Sequence, residues 1–410
     1  MKRTRVRVPQ EFDQSARDLG VDVVRNNRQS AIQDARFIGV TRLPDVALLF
    51  LRLGATAFGG PAAHIALLHH EVVARRRWLT DDEFGELLAL TNLIPGPNST
   101  EMAIHVGRRV AGWWGFVLAG VCFIVPAAVM VACLAVLYVH YGRTPDARAV
   151  MSGVAPVMLA VIAQASVTIG RSQLRGPFAW LVAIAAAGLA VAGIHELALL
   201  LGAGLLSVAA RRTGMLAVLA ASVGLMSAQA AQPAQATVPL TGLSLFFLKV
   251  GSVLFGSGYV LVAFLRADLV ERWRWLTDQQ LVDAIAVGQM TPGPVFTTAT
   301  FIGYVLRGAP GAVLATIAIF LPAFIFVALT QPLIPRLRAS AAASAFLNGV
   351  IAASIGLIAA VAAMLVPAVL TTVPQSIAAL AALLALLRWR INPSWLLVAG
   401  ALLGWAGMFG

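Results

Sequence analysis

The chain has 410 residues, 59% of them apolar and 12% charged, whereas an ordinary soluble domain carries about 25% charged residues. A water-soluble fold cannot hide that much apolar surface, which excludes a soluble enzyme, a secreted disulfide scaffold and a nucleic-acid binder despite the net charge of +12. In a membrane protein such a basic surplus marks cytoplasmic loops.

Residues 1–42 carry no apolar run long enough for a signal peptide and read as a charged cytoplasmic tail. From there apolar stretches near the ~20 residues needed to cross a bilayer recur. They cover 43–60, 84–106, 111–139, 150–169, 177–193 and 195–210, then 212–228, then 243–264, 279–305, 310–334, 346–369, 374–388 and 393–410. The expected fold is an all-α polytopic membrane protein of about 13 membrane segments, with broken or re-entrant helices among them. Cys122 and Cys133 share one of these stretches, too far apart along a helix for a disulfide.

The chain repeats itself. Trp78-Leu79-Thr80-Asp81 returns as Trp275-Leu276-Thr277-Asp278, and Pro95-Gly96-Pro97 returns as Pro292-Gly293-Pro294, both 197 residues later. At that offset Phe50, Gly54 and Phe58 fall on Phe247, Gly251 and Phe255, and with one residue deleted Gly153 falls on Gly349. Two homologous repeats of about six helices follow, 43–211 and 241–410, joined by a connecting helix and linker over 212–240. An even number of helices plus one connector inverts the second repeat in the membrane. Basic residues concentrate on the side of the N-terminus, which places that end in the cytoplasm and the C-terminus outside. Arg75, Arg76 and Arg77 are the misfit, which hairpins that do not fully cross would remove.

Thr80 with Glu83, and Thr277 with Gln280, fit capping boxes that open helices running into the Pro-Gly-Pro strings. Proline removes a backbone donor and glycine permits unusual dihedrals, so each helix must break there. Asn98 suits the cap of a new helix that carries Ser99, Thr100 and Glu101. Broken backbone in lipid survives only where it lines a cavity, and matched breaks in inverted halves point to a binding site. Its candidate lining is Pro95, Gly96, Pro97, Asn98, Ser99 and Thr100 with Pro292, Gly293, Pro294 and Thr297. Gly59-Gly60-Pro61 and Gly256-Ser257-Gly258 end the first apolar stretch of each repeat and can present backbone amides beside these breaks.

Arg52 and Lys249 occupy matched positions inside apolar stretches, and no acid follows Asp283. An unpaired cation at that depth costs at least ~2.5 kcal/mol, so an anionic substrate is the economical partner. Glu101 is either a helix cap or a proton carrier, with His105 one turn on as its companion. His64, His69 and His70 lack a second ligand set for a metal, and no cofactor is expected.

The run Phe58-Gly59-Gly60-Pro61 with His64, then Glu71, Arg76-Arg77-Trp78-Leu79 and Pro95-Gly96-Pro97-Asn98-Ser99-Thr100-Glu101, resembles the chromate ion transporter family. The second half resembles that family's second repeat, so the likeness spans about 43–410. The resemblance implies an efflux carrier for chromate in the bacterial inner membrane, driven by the proton motive force and built from two inverted domains. Chromate and sulfate are tetrahedral dianions of similar size, so the resemblance leaves a sulfate carrier open. A passive anion channel shares the same features, and a homodimer is an assembly the sequence allows. The rival from another class is an enzyme that clamps a lipid phosphate with Arg52, Arg108 and Arg109.

Overall fold

A computed structural model describes residues 42–92, 94–213, 238–255, 258–330, 340–389 and 391–409. The described residues hold helices and no strand. The 1–42 tail, all but its last residue, and most of the 212–240 connector lie outside them.

The first repeat opens with α1 (Leu43–Thr56), a break at residues 57–59, and α2 (Gly60–His69), which continues as a π-helical turn over His70–Arg75. Next come α3 (Asp81–Thr91), the Pro-Gly-Pro turn, α4 (Asn98–Tyr141), α5 (Pro145–Gln173), α6 (Gly176–Val191) and α7 (Glu196–Thr213). The second repeat follows the same order: α8 (Leu240–Val253), then α9 (Leu261–Phe264) with a π-helical continuation over Leu265–Arg272. After these come α10 (Asp278–Met290), α11 (Thr298–Thr330), α12 (Ala341–Val369), α13 (Val373–Trp389) and α14 (Pro393–Trp405). Both capping boxes form: Thr80 with Glu83 opens α3, and Thr277 with Gln280 opens α10.

Among the described residues, four helices are long and apolar enough to cross a membrane, namely Asn98–Tyr141, Pro145–Gln173, Val295–Leu329 and Ala341–Val369. Large apolar side chains such as Trp114, Ile184 and Ile317 are exposed on the outside of the bundle, on faces that lipid would cover.

Four stretches of single-crossing length, 43–60, 84–106, 243–264 and 279–305, are interrupted at or beside the Gly- and Pro-rich strings where breaks are expected. α3 has 11 residues, about 16 Å at 1.5 Å per residue, half the hydrocarbon thickness. After the turn the chain comes back: Arg109, eleven residues into α4, reaches Glu83 at the start of α3 at 2.7 Å. In the second repeat Phe246 of α8 meets Trp273 edge to face at 5.4 Å and Lys249 pairs with Asp268, so α8 and the π-helical segment also run antiparallel. These elements are helical hairpins whose apices are the Gly- and Pro-rich breaks.

α4 and α11 each contain a second reversal. Ala111 and Gly112 leave helical dihedrals, with Gly112 at φ +62°, and Arg307 and Gly308 do the same, with Gly308 at φ +63°. Beyond the reversal the chain doubles back so tightly that a Cβ on Gly107 would strike the carbonyl of Gly115, and one on Gly303 that of Gly311. Only a glycine pair permits this backbone contact.

The halves interlock. α5 packs on α13 and α14 of the second repeat, while α12 packs on α6 and α7 of the first. A Cβ on Gly153 would meet the carbonyl of Gly400, and one on Gly349 that of Ala203.

Candidate functional site

Both Pro-Gly-Pro turns depend on a glycine with positive φ, +145° at Gly96 and +86° at Gly293, a region closed to most L side chains. Each turn is held by the other repeat. The Gly96 N–H donates to the Leu254 carbonyl at 2.8 Å, and the Gly293 N–H donates to the Ala57 carbonyl at 2.9 Å. Leu254 ends α8 and Ala57 ends α1, so an apex of each kind from each repeat meets the opposite one. Gly293 also sits against Ala127 and the Gly54 carbonyl, where a Cβ would come within 2.6 and 3.0 Å.

Backbone accounting at these apices is uneven. The chain-end carbonyls are taken: Ala57 accepts from Gly293 and from His64 Nε2 at 2.9 Å, and Leu254 accepts from Gly96. The helices that leave the apices begin there, α2 at Gly60, α4 at Asn98 and α11 through a 3₁₀ turn at Val295–Thr297. A helix start has amides without an intrahelical acceptor and carries the positive end of the dipole. The two chain-end carbonyls are thus occupied while the positive ends of helices face the apices, an arrangement suited to an anion.

Glu101, Thr100 and Ser99 are buried just beyond the first turn. The Glu101 side chain points back along its helix and lies where a Gly96 Cβ would stand. Neither carboxylate oxygen has a hydrogen-bond partner among the described residues, nor has the Thr100 hydroxyl. His105 is 1% exposed and both its ring nitrogens are likewise unpartnered. The companionship expected of Glu101 and His105 is therefore not a hydrogen bond, because the carboxylate turns towards the apex and away from the next turn of the helix. Thr298, in the place of Glu101, is satisfied by its own helix through the Val295 carbonyl at 2.8 Å, and Thr297 bonds the Pro294 carbonyl at 2.9 Å. Asn98 does not cap α4, whose N-cap is Pro97; its amide donates across the turn to Asn92 at 3.0 Å. Gly59, with φ +107°, and Gly60, with φ +77°, form the first apex, while Gly256 and Ser257 lie outside the described residues.

The cation pair divides. Arg52 is exposed on α1 and makes no ion pair among the described residues. Lys249 binds the buried Asp268 and lies 3.9 Å from the buried Glu196. The premise that Lys249 has no fixed acidic partner is thus corrected. Asp268 could have been found at the repeat offset, since Glu71 precedes it by 197 residues and each acid has an arginine four residues on, Arg75 and Arg272. Glu71 is buried against Arg75 and Arg76. Burial pushes its carboxyl up, and the two guanidiniums more than offset this, holding it below the usual range.

His195, Glu196 and Asp268 bring ligand-type atoms within 4.8 Å of one another, yet Lys249 and Arg272 already hold Asp268, which opposes a metal cation there. His64 is committed to the Ala57 carbonyl and His69 to Asp81.

A family model described as chromate transporter matches residues 44–208 and again 241–405. The chain is 34% identical over 372 residues to the chromate transport protein of Cupriavidus metallidurans, covering 88% of this chain and 92% of that one. It is 35% identical over 386 residues to the chromate transport protein of Pseudomonas aeruginosa, with 88% and 92% covered. A probable chromate transport protein of Synechococcus elongatus is 32% identical over 360 residues, with 85% and 91% covered. No solved structure matches the chain.

Proposed function

The chain belongs to the chromate transporter family, and on that premise we propose that it exports chromate across the bacterial inner membrane as a carrier coupled to protons. Chromate is its substrate and a bacterial membrane its location. A family of transporters displaces the lipid-phosphate enzyme: the protein is not an enzyme.

The observation that carries the mechanism is the pair of cross-repeat bonds, Gly96 to Leu254 and Gly293 to Ala57. They gather the hairpin apices and occupy the Ala57 and Leu254 carbonyls, so that the helix starts would face a tetrahedral dianion, which sulfate would satisfy as chromate does. Hairpins entering from opposite faces would meet in this way at mid-depth, which supports inverted repeats. If each hairpin returns to its own side, Arg75 to Arg77 fall with residue 43 on the cytoplasmic face, which supports an inside N-terminus and removes the earlier misfit. Lys249, paired to Asp268, leaves the binding set, and Arg52, exposed on α1 with no ion pair among the described residues, stays in it.

Glu101 is the proton carrier in this reading. It is fully buried beside the first turn, where a proton on its carboxyl and an anion at the helix start would influence each other. An inside-negative potential already favours anion exit by ~2.3 kcal/mol per charge per 100 mV, so coupling has to be tested directly. Uptake of labelled chromate into inverted membrane vesicles, with and without an imposed proton gradient, does so. With the potential held at zero, a carrier of this kind responds to the pH gradient and a passive channel does not. The Glu101→Gln variant keeps the shape and removes titration; its uptake should lose the pH dependence while anion exchange persists. An unchanged pH profile assigns Glu101 to a structural role.

A further inference from the structure

Between α5, α12 and the start of α14 lies a chamber of about 1180 Å³ formed by the described residues. It reaches the apices, touching Gly59, Asn92 and Asn98 of the first repeat and Tyr259 of the second. Its polar lining consists of amides and hydroxyls, including Gln164, Thr168, Asn348 and Ser354, and Arg171 is its one charged residue among those described. Arg171 is exposed at the end of α5 and makes no ion pair among the described residues. Deep in the wall, Ser354 is 2% exposed and its hydroxyl has no partner among the described residues.

The same place in the other half is built differently. Gln164, Ala165 and Thr168 correspond by the repeat to Ala360, Val361 and Met364, and, where the offset returns to 197 at Pro177 and Pro374, Ile391, Asn392 and Pro393 correspond to Ile194, His195 and Glu196. Those second positions line a cavity of only about 170 Å³. It is crossed by Lys249 and Arg272 on Asp268, and by Arg266 on Glu271 and Asp278. One of two equivalent spaces is thus wide and bears a single cation, while the other is small and laced with ion pairs.

We propose that the wide chamber is the entry site for the oxyanion: Arg171 draws a tetrahedral dianion to its mouth, and the amide and hydroxyl donors, ending at Ser354, pass it to the apices. An acid-free lining with one cation rejects cations by repulsion and desolvation and concentrates anions. Neutral donors hold a dianion without trapping it, as a conduit requires. The inference rests on the transport reading, and it adds the residues through which substrate arrives. The sharing of this chemistry by chromate and sulfate means that the chamber selects charge and shape, not the central atom.

The test uses the full chain in vesicles with Cys122→Ala and Cys133→Ala, so that an introduced thiol is the only one. Ser354→Cys, and separately Asn348→Cys in case the first fails to fold, are treated with a methanethiosulfonate carrying either a sulfonate or a quaternary ammonium, each rate normalised to that of a free thiol. The anionic reagent should react faster by about tenfold or more, and Arg171→Ala should remove most of that preference. Modification should also block labelled-chromate uptake. Equal normalised rates, absence of reaction at both positions, or a preference untouched by Arg171→Ala would overturn the proposal. Failure of the transport reading itself appears elsewhere, as absent chromate uptake by the unmodified protein whatever the labelling rates.

Discussion

Lys249 and Arg52 occupy the same position in the two repeats and meet different fates. Lys249 holds Asp268, which is 1% exposed, whereas Arg52 stands exposed on α1. Lys249→Ala should therefore destabilise the protein by about 2 kcal/mol, discounted because Lys249 is partly exposed and Arg272 remains beside the acid. Adding Asp268→Asn should recover most of the loss, while Arg52→Ala should change stability by no more than about 0.5 kcal/mol. Thermal unfolding in detergent distinguishes these outcomes; equal losses for the two cations would contradict the assignment. At this scale the turns were legible in the sequence, because the effects of proline and glycine on backbone need no knowledge of partners. Glu101 was legible as the acid beyond the break. The Lys249 partner was not, since Asp268 lies 19 residues away and becomes a neighbour only when the chain folds back. Asn98 was misread as a cap for a similar reason: its side chain serves Asn92 across the turn.

Helices here are positioned by small residues as much as by hydropathy. Gly153 has no room for a Cβ because the Gly400 carbonyl occupies that place, while Gly188 in α6 has nothing within 4 Å. Gly153→Ala should accordingly cost about 1–3 kcal/mol, since a backbone carbonyl cannot move aside as a side chain can. Gly188→Ala should be neutral or stabilise by up to about 1 kcal/mol, as alanine is the better helix former. Melting temperatures of both variants, with chromate uptake as the check on folding, decide the matter; similar effects would mean that the α5–α14 contact is looser than described. The Gly- and Pro-rich strings marked breaks in four apolar stretches, which hydropathy alone could not. Hydropathy counts apolar residues and carries no direction, so a hairpin of two half-length helices scores as one crossing. The capping boxes at Thr80 and Thr277, by contrast, are local chemistry and appear as read.

The whole molecule is an exchange between halves. Every apex leans on the opposite repeat, and the long helices α5 and α12 each pack on the closing helices of the other half. The offset of 197 residues was visible in the sequence, and contacts obey it: His69 to Asp81 at 2.8 Å matches Arg266 to Asp278 at 2.9 Å. The interlocking was not visible, because identity at an offset says that two units are alike and nothing about whether they stand apart. If the chain is divided between residues 213 and 238, each half alone should be unstable, and the two expressed together should restore chromate uptake. Stable, folded single halves would show that the interlock is dispensable.

That interlock has a consequence for how the protein is made. A ribosome finishes the first half long before the second exists, so the Ala57 carbonyl and the face of α7 around Ala203 must wait without their partners, Gly293 and Gly349. During that interval the first half lacks the contacts that close its apices. Biogenesis is therefore an assembly reaction between two subunits that share one chain, and the joined apices are the last part to form.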